Sequence, residues 1–362
     1  MEHLSVECPA WLVGLIEEAG GEISFCQYMD WALNHPINGA YGSGCLKIGK
    51  HGDFVTSPSL GDEFAELLFI QIIDWFSLIE QEKQEICRFS LVEIGPGEGH
   101  LIYDISKALL KYPPKFLNKL EIVLVETNPG MIKKQRKLLE NIKNISIRWA
   151  NIQDLISSPV VGLIIAHEVL DSIPFERLVC RSGDIFSQGV KLHNTKNKQL
   201  LSLTEKPLNK DLSISLNELQ KKIGLSIPPE GAREGWSTEL HIGLDSWFSD
   251  VYRSLDYGYL LVIDYALSMN SYYSSSRQSG TILTYLNQVC SEDFLSQPGK
   301  NDITSHICLE SMNYYASKNS FQLIGSTKQG QALLALGLAQ KLHSLSHFKS
   351  TQLANALRKR ES

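Results

Sequence analysis

Glu93-Ile94-Gly95-Pro96-Gly97-Glu98-Gly99 joins the acid that closes an apolar run to three alternate glycines. Glycines so placed let the backbone turn sharply and come close to a ligand, because no Cβ intervenes and positive φ is open to them. The chemistry suited to such a turn is the cradling of a nucleoside cofactor. A dinucleotide pyrophosphate turn is GxGxxG, its third glycine seating the helix on the strand, whereas Gly95, Gly97 and Gly99 give GxGxG. That spacing argues against a nicotinamide oxidoreductase.

A second acid, Glu126, ends the apolar run Leu120 to Val125. At the tip of the second strand of a doubly wound sheet, a carboxylate sits over the ligand crevice and can accept hydrogen bonds from two ribose hydroxyls. Asn151 and Ile152, just past a third run, are candidates for the edge and ring of a purine, with a turn-capping role for Asn151 equally open. After the fourth run comes His167-Glu168-Val169-Leu170-Asp171-Ser172-Ile173-Pro174, where such folds place substrate-facing residues. Carboxylates three apart face the same way on a helical turn. Glu168 and Asp171 therefore suit a guanidinium, which stays charged at neutral pH and is held bidentately by paired acids. They equally suit a helix cap, with His167 a satisfied polar neighbour.

The elements that must position these residues alternate between strand and helix. Leu91 to Ile94, Leu120 to Val125, Ile145 to Trp149 and Val161 to Ala166 read as central strands, each a mainly apolar run as a sheet covered on both faces requires. The next run of this kind, Tyr259 to Tyr265, follows after roughly ninety residues, far beyond an ordinary crossover, so a further α+β unit is expected between strands four and five. Within it, Phe175 to Val190 reads as paired strands around Ser182-Gly183, and Asn194 to Gln220 as a polar stretch ending in a helix. N-terminal to the sheet, Ile16 to Asn34 and Gly61 to Phe76 carry helical repeats that flank a glycine-dense loop, Gly39 to Pro58, whose ordered aromatic and charged residues argue for function. Phe321 to Gly325 and Ala332 to Leu336 read as a closing antiparallel pair. The expected organisation is an N-terminal helical region over 1–88, a nucleoside-binding α/β core over 89–174 and 255–340, an insertion over 175–254, and a tail over 341–362.

Bulk composition sets limits. The chain has 362 residues, 43% apolar and 20% charged, with a formal net charge of −6. No stretch approaches the roughly 18 apolar residues of a membrane span. Positive charge gathers only at Lys133-Lys134-Gln135-Arg136-Lys137, read as a solvated helix face, and at the tail Arg358-Lys359-Arg360, so nucleic acid is not an expected partner. The 7 cysteines show no CxxC pair or His-rich spacing; free thiols and no metal are expected. The acidic start of the chain suits neither a secretory signal nor a mitochondrial presequence, and a cytoplasmic location is the expectation. Nothing in the residues decides for or against a homodimer.

The glycine turn resembles the first motif of class I S-adenosyl-L-methionine (SAM) methyltransferases, and a wider set of motifs resembles the MidA-like methyltransferases. That family, which includes the mitochondrial complex I assembly factor of this type, shows a GDFxTSP loop, a VELGPGxG turn, an HE-or-NE-xxDxLP segment and a closing QAxFLLxLG strand. Here they stand, in order, as Gly52 to Pro58, Val92 to Gly99, His167 to Pro174 and Gln331 to Gly337. The resemblance implies a Rossmann-like methyltransferase sheet, SAM as cofactor, a protein substrate and, from the mitochondrial relatives, methylation of an arginine on a respiratory-complex subunit. It implies Glu93, Gly95, Gly97, Gly99 and Glu126 on the cofactor side. On the substrate side it implies Asp53, Glu168 and Asp171, with Glu66 and His306 as further candidates. Glu98, where the family pattern suggests Arg or a small residue, sets a negative charge beside the turn. That departure, with missing basic residues near Thr284, keeps a second reading open: a non-catalytic SAM-binding assembly factor or chaperone.

Overall fold

The structure is a computed structural model that describes residues 6–49, 52–59, 61–83, 87–196 and 198–344; the basic tail Arg358-Lys359-Arg360 lies outside them. Down the chain, β1 (Val6–Glu7), α1 (Ala10–Glu18), β2 (Glu22–Ser24), α2 (Phe25–Asn34) and α3 (Glu63–Glu82) lead into β3 (Phe89–Ile94), α4 (His100–Lys111), β4 (Leu120–Val125), α5 (Pro129–Leu139), β5 (Ser146–Ala150), α6 (Ile152–Ser157) and β6 (Val160–His167). Then come β7 (Glu176–Arg181), β8 (Asp184–Asn194), β9 (Gln199–Pro207), α7 (Lys210–Ile223), β10 (Ser237–Leu240), α8 (Gly243–Ser254) and β11 (Leu255–Ile263). The remainder holds β12 (Ala266–Leu267), α9 (Met269–Tyr272), β13 (Leu283–Leu286), β14 (Val289–Ser291), β15 (Asp302–Thr304), β16 (Ile307–Cys308), α10 (Leu309–Lys318), α11 (Gln329–Ala335) and α12 (Leu338–Ser344).

The central sheet is parallel, in the order β11-β6-β3-β4-β5. Every residue of β3 and β4 is buried, which is why these strands read as mainly apolar runs. On one face α3 and α4 close a core of Phe64, Ile72, Phe76, Phe89, Leu91, Ile105 and Leu124; on the other, α6 and α8 cover Val92, Val123 and Ile164 through Leu155 and Val251. Strand order reverses between β3 and β6, and ligands bind outside the carboxyl ends of strands at such a point. A second, antiparallel sheet runs β1-β9-β8-β7-β10, with β2 paired to β8. Its core joins α1 and α2 to Phe175, Val190, Leu201 and Phe294.

Three findings differ from the expectations. Asn194 to Gln220 ends in a helix, α7, as expected, but ahead of it stands a strand: β9 pairs with β8 over Gln199–Pro207, because alternate residues such as Leu201 and Leu203 turn inward. Ile16 to Asn34 is broken at Gly20 and Gly21, both at positive φ, by β2. The closing antiparallel pair is absent, since Ala332 to Leu336 falls largely in helix α11 and Phe321 to Gly325 has no regular structure. Ala and Leu dominate that last segment and β-branched residues are missing from it, so local preference favours helix. The hairpin around Ser182-Gly183 is present as β7 and β8. Among the described residues, no helix is long and apolar enough to cross a membrane.

Two glycines set how closely the central strands meet. Gly162 in β6 lies opposite both Ser90 of β3 and Gly258 of β11. A Cβ on Gly162 would sit 2.1 Å from the Ser90 carbonyl oxygen, and one on Gly258 would sit 1.8 Å from the Gly162 carbonyl oxygen, both against backbone that cannot yield. Their φ values are +150° and +140°. Gly162→Ala is therefore expected to cost about 3 kcal/mol from overpacking and backbone strain together. Urea unfolding of the variant measures this, and a loss under about 1 kcal/mol would show that the strands can part without strain.

Candidate active site

Outside the carboxyl ends of β3, β4 and β6 lies a cavity of about 380 Å³. Its lining joins Glu93, Gly95, Gly97 and Glu126 to His167 and Glu168, with Tyr41, Ile48, Phe54 and Thr56 of the N-terminal loop across from them. Residues distant in sequence, read separately as cofactor side and substrate side, thus face one space.

The turn after β3 holds Gly95, Gly97 and Gly99 at φ of +61°, +53° and +90°. A Cβ at Gly97 would stand 2.8 Å from Ile48 Cδ1 and would fill the cradle. Glu93 is 3% exposed, and its Oε2 has no hydrogen-bond partner among the described residues. Burial pushes its carboxyl up to about 8. Glu126 Oε1 accepts from the amides of Thr127 (2.9 Å) and Asn128 (2.8 Å), and Oε2 accepts from Gln135 Nε2 (3.2 Å); burial raises its pKa as well. Gln135 also donates to the Gly97 carbonyl (2.8 Å) and accepts from Trp149 Nε1 (2.9 Å). This fully buried amide ties the glycine turn to Glu126. Its place inside the basic run Lys133 to Lys137 concealed it, since that run reads as a solvent face.

The run has a second inward member. Lys134 reaches the Leu46 carbonyl and lies 2.9 Å from Glu98 Oε1, which also accepts from the Ile48 amide at 3.2 Å. Burial opposes the Glu98 charge, yet hydrogen bonds from His100, Lys134 and Ile48 outweigh it and bring the carboxyl down to about 2. The charge expected to disturb the turn is instead neutralised, and it fastens the N-terminal loop over the glycines.

At the other end, Glu168 takes a left-handed conformation, φ +52°, and lines the cavity beside His167, whose Nε2 is 3.8 Å from Glu168 Oε1. The Tyr265 hydroxyl donates to Glu168 Oε1 at 3.3 Å. Asp171 does not share the cavity wall. It is 7% exposed, on the 3-10 turn Leu170–Ser172 behind Glu168, so the expected common helical face is not formed: the left-handed kink at 168 interrupts it. Asp264 Oδ2 accepts from the amides of Leu170 (2.8 Å), Val169 (3.2 Å) and Asp171 (3.4 Å), while Oδ1 accepts from Tyr265 (2.8 Å). Asp302 accepts the Tyr41 hydroxyl at 2.9 Å. Burial raises the pKa of Asp171 and Asp264, and the nearby Glu168 adds to it; burial brings Asp302 to about 7. Asp264 ends its strand as Glu93 and Glu126 end theirs, a signature that could have singled it out in the sequence.

Other candidates take structural positions. Asp53 accepts the amides of Lys47 (2.9 Å) and Asn287 (3.0 Å), bracing the loop against the β13–β14 turn, and is absent from the cavity wall. Asn151 Oδ1 accepts the Asp154 amide in a capping box at the start of α6, leaving it and Ile152 outside the cavity lining. Glu66 pairs with Lys111 (3.3 Å) and Lys341. The His306 amide donates to Thr281 Oγ1 (3.1 Å), away from the cavity.

A positively charged nucleoside suits this wall. Glu93, Glu98, Glu126 and Glu168 line it and, among the described residues, no lysine or arginine does; an orphaned buried carboxylate oxygen points to a cationic guest, and the glycine cradle leaves room for backbone contact.

Comparison with known proteins agrees. A family of S-adenosyl-L-methionine-dependent methyltransferases matches residues 67–327. The mitochondrial protein arginine methyltransferase NDUFAF7 homolog of Caenorhabditis elegans is 26% identical over 349 residues, covering 90% of this chain and 75% of that protein. NDUFAF7 of Xenopus tropicalis, also a mitochondrial protein arginine methyltransferase, is 32% identical over 44% of this chain and 40% of its own length. The crystal structure of a COG1565 superfamily member from Burkholderia thailandensis bound to S-adenosyl-homocysteine superposes with a TM-score of 0.79 at 25% identity, covering 98% of this chain and 87% of that one. On the match of this family across most of the chain, the shared fold and the acidic glycine cradle, the protein belongs to the MidA-like S-adenosyl-L-methionine-dependent methyltransferases.

Proposed function

We propose that the acceptor of the methyl group is an arginine side chain of a protein. The observation that carries this reading is Glu168, set at the far end of the cofactor cavity with Asp171, Asp264 and Asp302 behind it and, among the described residues, no lysine or arginine on the wall. An anionic pocket of this kind selects a cation, and a guanidinium matches a carboxylate in both charge and planar donor geometry. The names of the worm and frog relatives support the same acceptor.

SAM supplies a methyl group already activated by its sulfonium charge. The glycine turn, Glu93 and Glu126 hold it, so that what the chain must add is placement of the nucleophile. Glu168 Oε1, steadied by the Tyr265 hydroxyl, orients the guanidinium and takes up the proton that the methylated nitrogen releases. The alternative of a purely binding protein drew on the charge of Glu98 and on the missing basic residues near Thr284; the pairing of Glu98 with Lys134 and the Ile48 amide removes the first of these supports.

Three outcomes are expected. Gly97→Val abolishes SAM binding in calorimetry, weakening it more than about 100-fold, because the added atoms occupy the cradle and the φ is unfavourable; unchanged affinity would remove the cofactor from this turn. Glu93 stays protonated up to about pH 8 in the free protein, so a cationic ligand must displace that proton. SAM affinity therefore rises with pH, approaching tenfold per unit between about pH 6 and about pH 7, and Glu93→Gln flattens the slope. A slope that persists in the variant would assign the proton elsewhere. Glu168→Gln lowers methyl transfer to arginine about 100-fold while SAM affinity changes less than about twofold; this is read as methylarginine in acid hydrolysates of extract incubated with labelled SAM. Undiminished methylarginine would exclude Glu168 from the acceptor site.

A further inference from the structure

A groove of about 480 Å³ lies beside the catalytic cavity, and Ile173, Pro174 and Trp247 line both. The partition is therefore one wall thick, and it follows directly on the substrate-facing turn of Glu168 to Ser172. It is also braced: Gly243 at the start of α8 packs so closely that a Cβ there would stand 3.1 Å from Ile173 Cγ2. Among the described residues the groove's charged lining consists of Asp30 on α2 and Asp250 on α8; Arg253, one turn along α8 and outside that lining, lies 3.7 Å from Asp250 Oδ1 and offsets part of its charge. Cys26 stands in the same wall, and burial pushes its thiol up to about 12, with Glu176 and Asp30 adding to the shift.

We propose that this groove seats the polypeptide on one side of the methyl-accepting residue, and that it selects lysine or arginine at a flanking position. A side chain that reaches into the catalytic cavity commits its backbone to the rim, and the chain leaving the rim past Ile173 and Pro174 enters the groove. There Asp30 and Asp250 complement positive charge, and Trp247 offers an aromatic wall to aliphatic stems and cationic heads. The occupant is a cationic, extended segment of a substrate protein. The inference rests on the reading that the acceptor belongs to a protein, and adds a charge preference outside the reacting residue.

The test uses the full chain with S-adenosyl-homocysteine present and a short fluorescein-labelled peptide of alternating lysine and glycine, followed by fluorescence anisotropy. The wild type binds this peptide and not its glutamate-glycine counterpart. Asp30→Asn/Asp250→Asn weakens binding about fivefold, as two partly exposed ion pairs would, and Asp250→Asn alone accounts for part of it without touching the Asp30 contact to Asn34. Asp184→Asn/Asp256→Asn, equal in charge change and exposed elsewhere, leaves binding unaltered. No binding by the wild type, or equal weakening in the two double variants, overturns the groove assignment. Because the peptide holds no arginine, that failure leaves arginine transfer standing. Conversely, an undiminished methylarginine yield in Glu168→Gln breaks the acceptor reading while the peptide result stands.

Discussion

Carboxylates crowded at the ends of parallel strands are the constraint around which this protein is arranged. Glu93 closes β3, Glu126 follows β4 and Asp264 follows β11, while Glu168, Asp171 and Asp302 stand close by. Bringing such groups out of water together is costly, since each loses hydration and each repels the next. The chain offsets the cost in three ways. Backbone amides meet Asp264 and Glu126, a lysine and a histidine meet Glu98, and the rest is left as raised proton affinity at Glu93, Asp171 and Asp302. What stays uncompensated is what a cationic cofactor and a cationic acceptor would satisfy. Preorganised charge of this sort is worth more in a dry cavity than in water, which is the general advantage of building it in beforehand.

Holding that charge requires a fixed backbone, and the supporting parts come from far apart in the chain. The turn carrying Glu168 hangs from Asp264, one strand over, by three amide hydrogen bonds. The glycine turn hangs from Gln135 on α5. The N-terminal loop is pinned by Glu98 above and by Asp53 below. Each support is a buried or half-buried polar group making several bonds at once, the kind whose removal leaves its partners unsatisfied rather than merely loosened.

Much of this was legible in the sequence wherever one physical demand dominates a local stretch. Strands buried on both faces must be mostly apolar, so β3, β4 and β6 announced themselves within one or two residues, and the half-covered edge strand β5 did so through Ile147 and Trp149. A turn that touches a nucleoside needs glycine, so Gly95 and Gly97 did too. Legibility ended where long-range packing decides. Lys134 and Gln135 sit in a basic run that looks solvated; Leu46 of the N-terminal loop and Glu98 draw Lys134 inward, and Gly97, Glu126 and Trp149 draw Gln135. Asp53 and Asn151 are polar residues in ordered loops, and whether such a side chain meets a ligand or a backbone amide depends on partners like Lys47, Asn287 and Asp154. The left-handed residue at 168 could not be anticipated from a glutamate, and it alone separates Glu168 from Asp171. The segment 329–335 shows the converse, a helix that local propensity favoured over the strand that the motif suggested.

The contact between Gly162 and Gly258 links strands that are neighbours in space although the chain leaves β6 and returns at β11 only after building most of the antiparallel sheet. Because the two strands are parallel, the chain leaves β6 at the cavity edge of the sheet and must re-enter β11 at the opposite edge, so the intervening segment has to travel back along the full length of a strand. That return path carries Glu168, Ile173, Pro174 and Trp247 past the cavity mouth, so the long connection furnishes part of the wall around the reacting groups instead of lying apart from it.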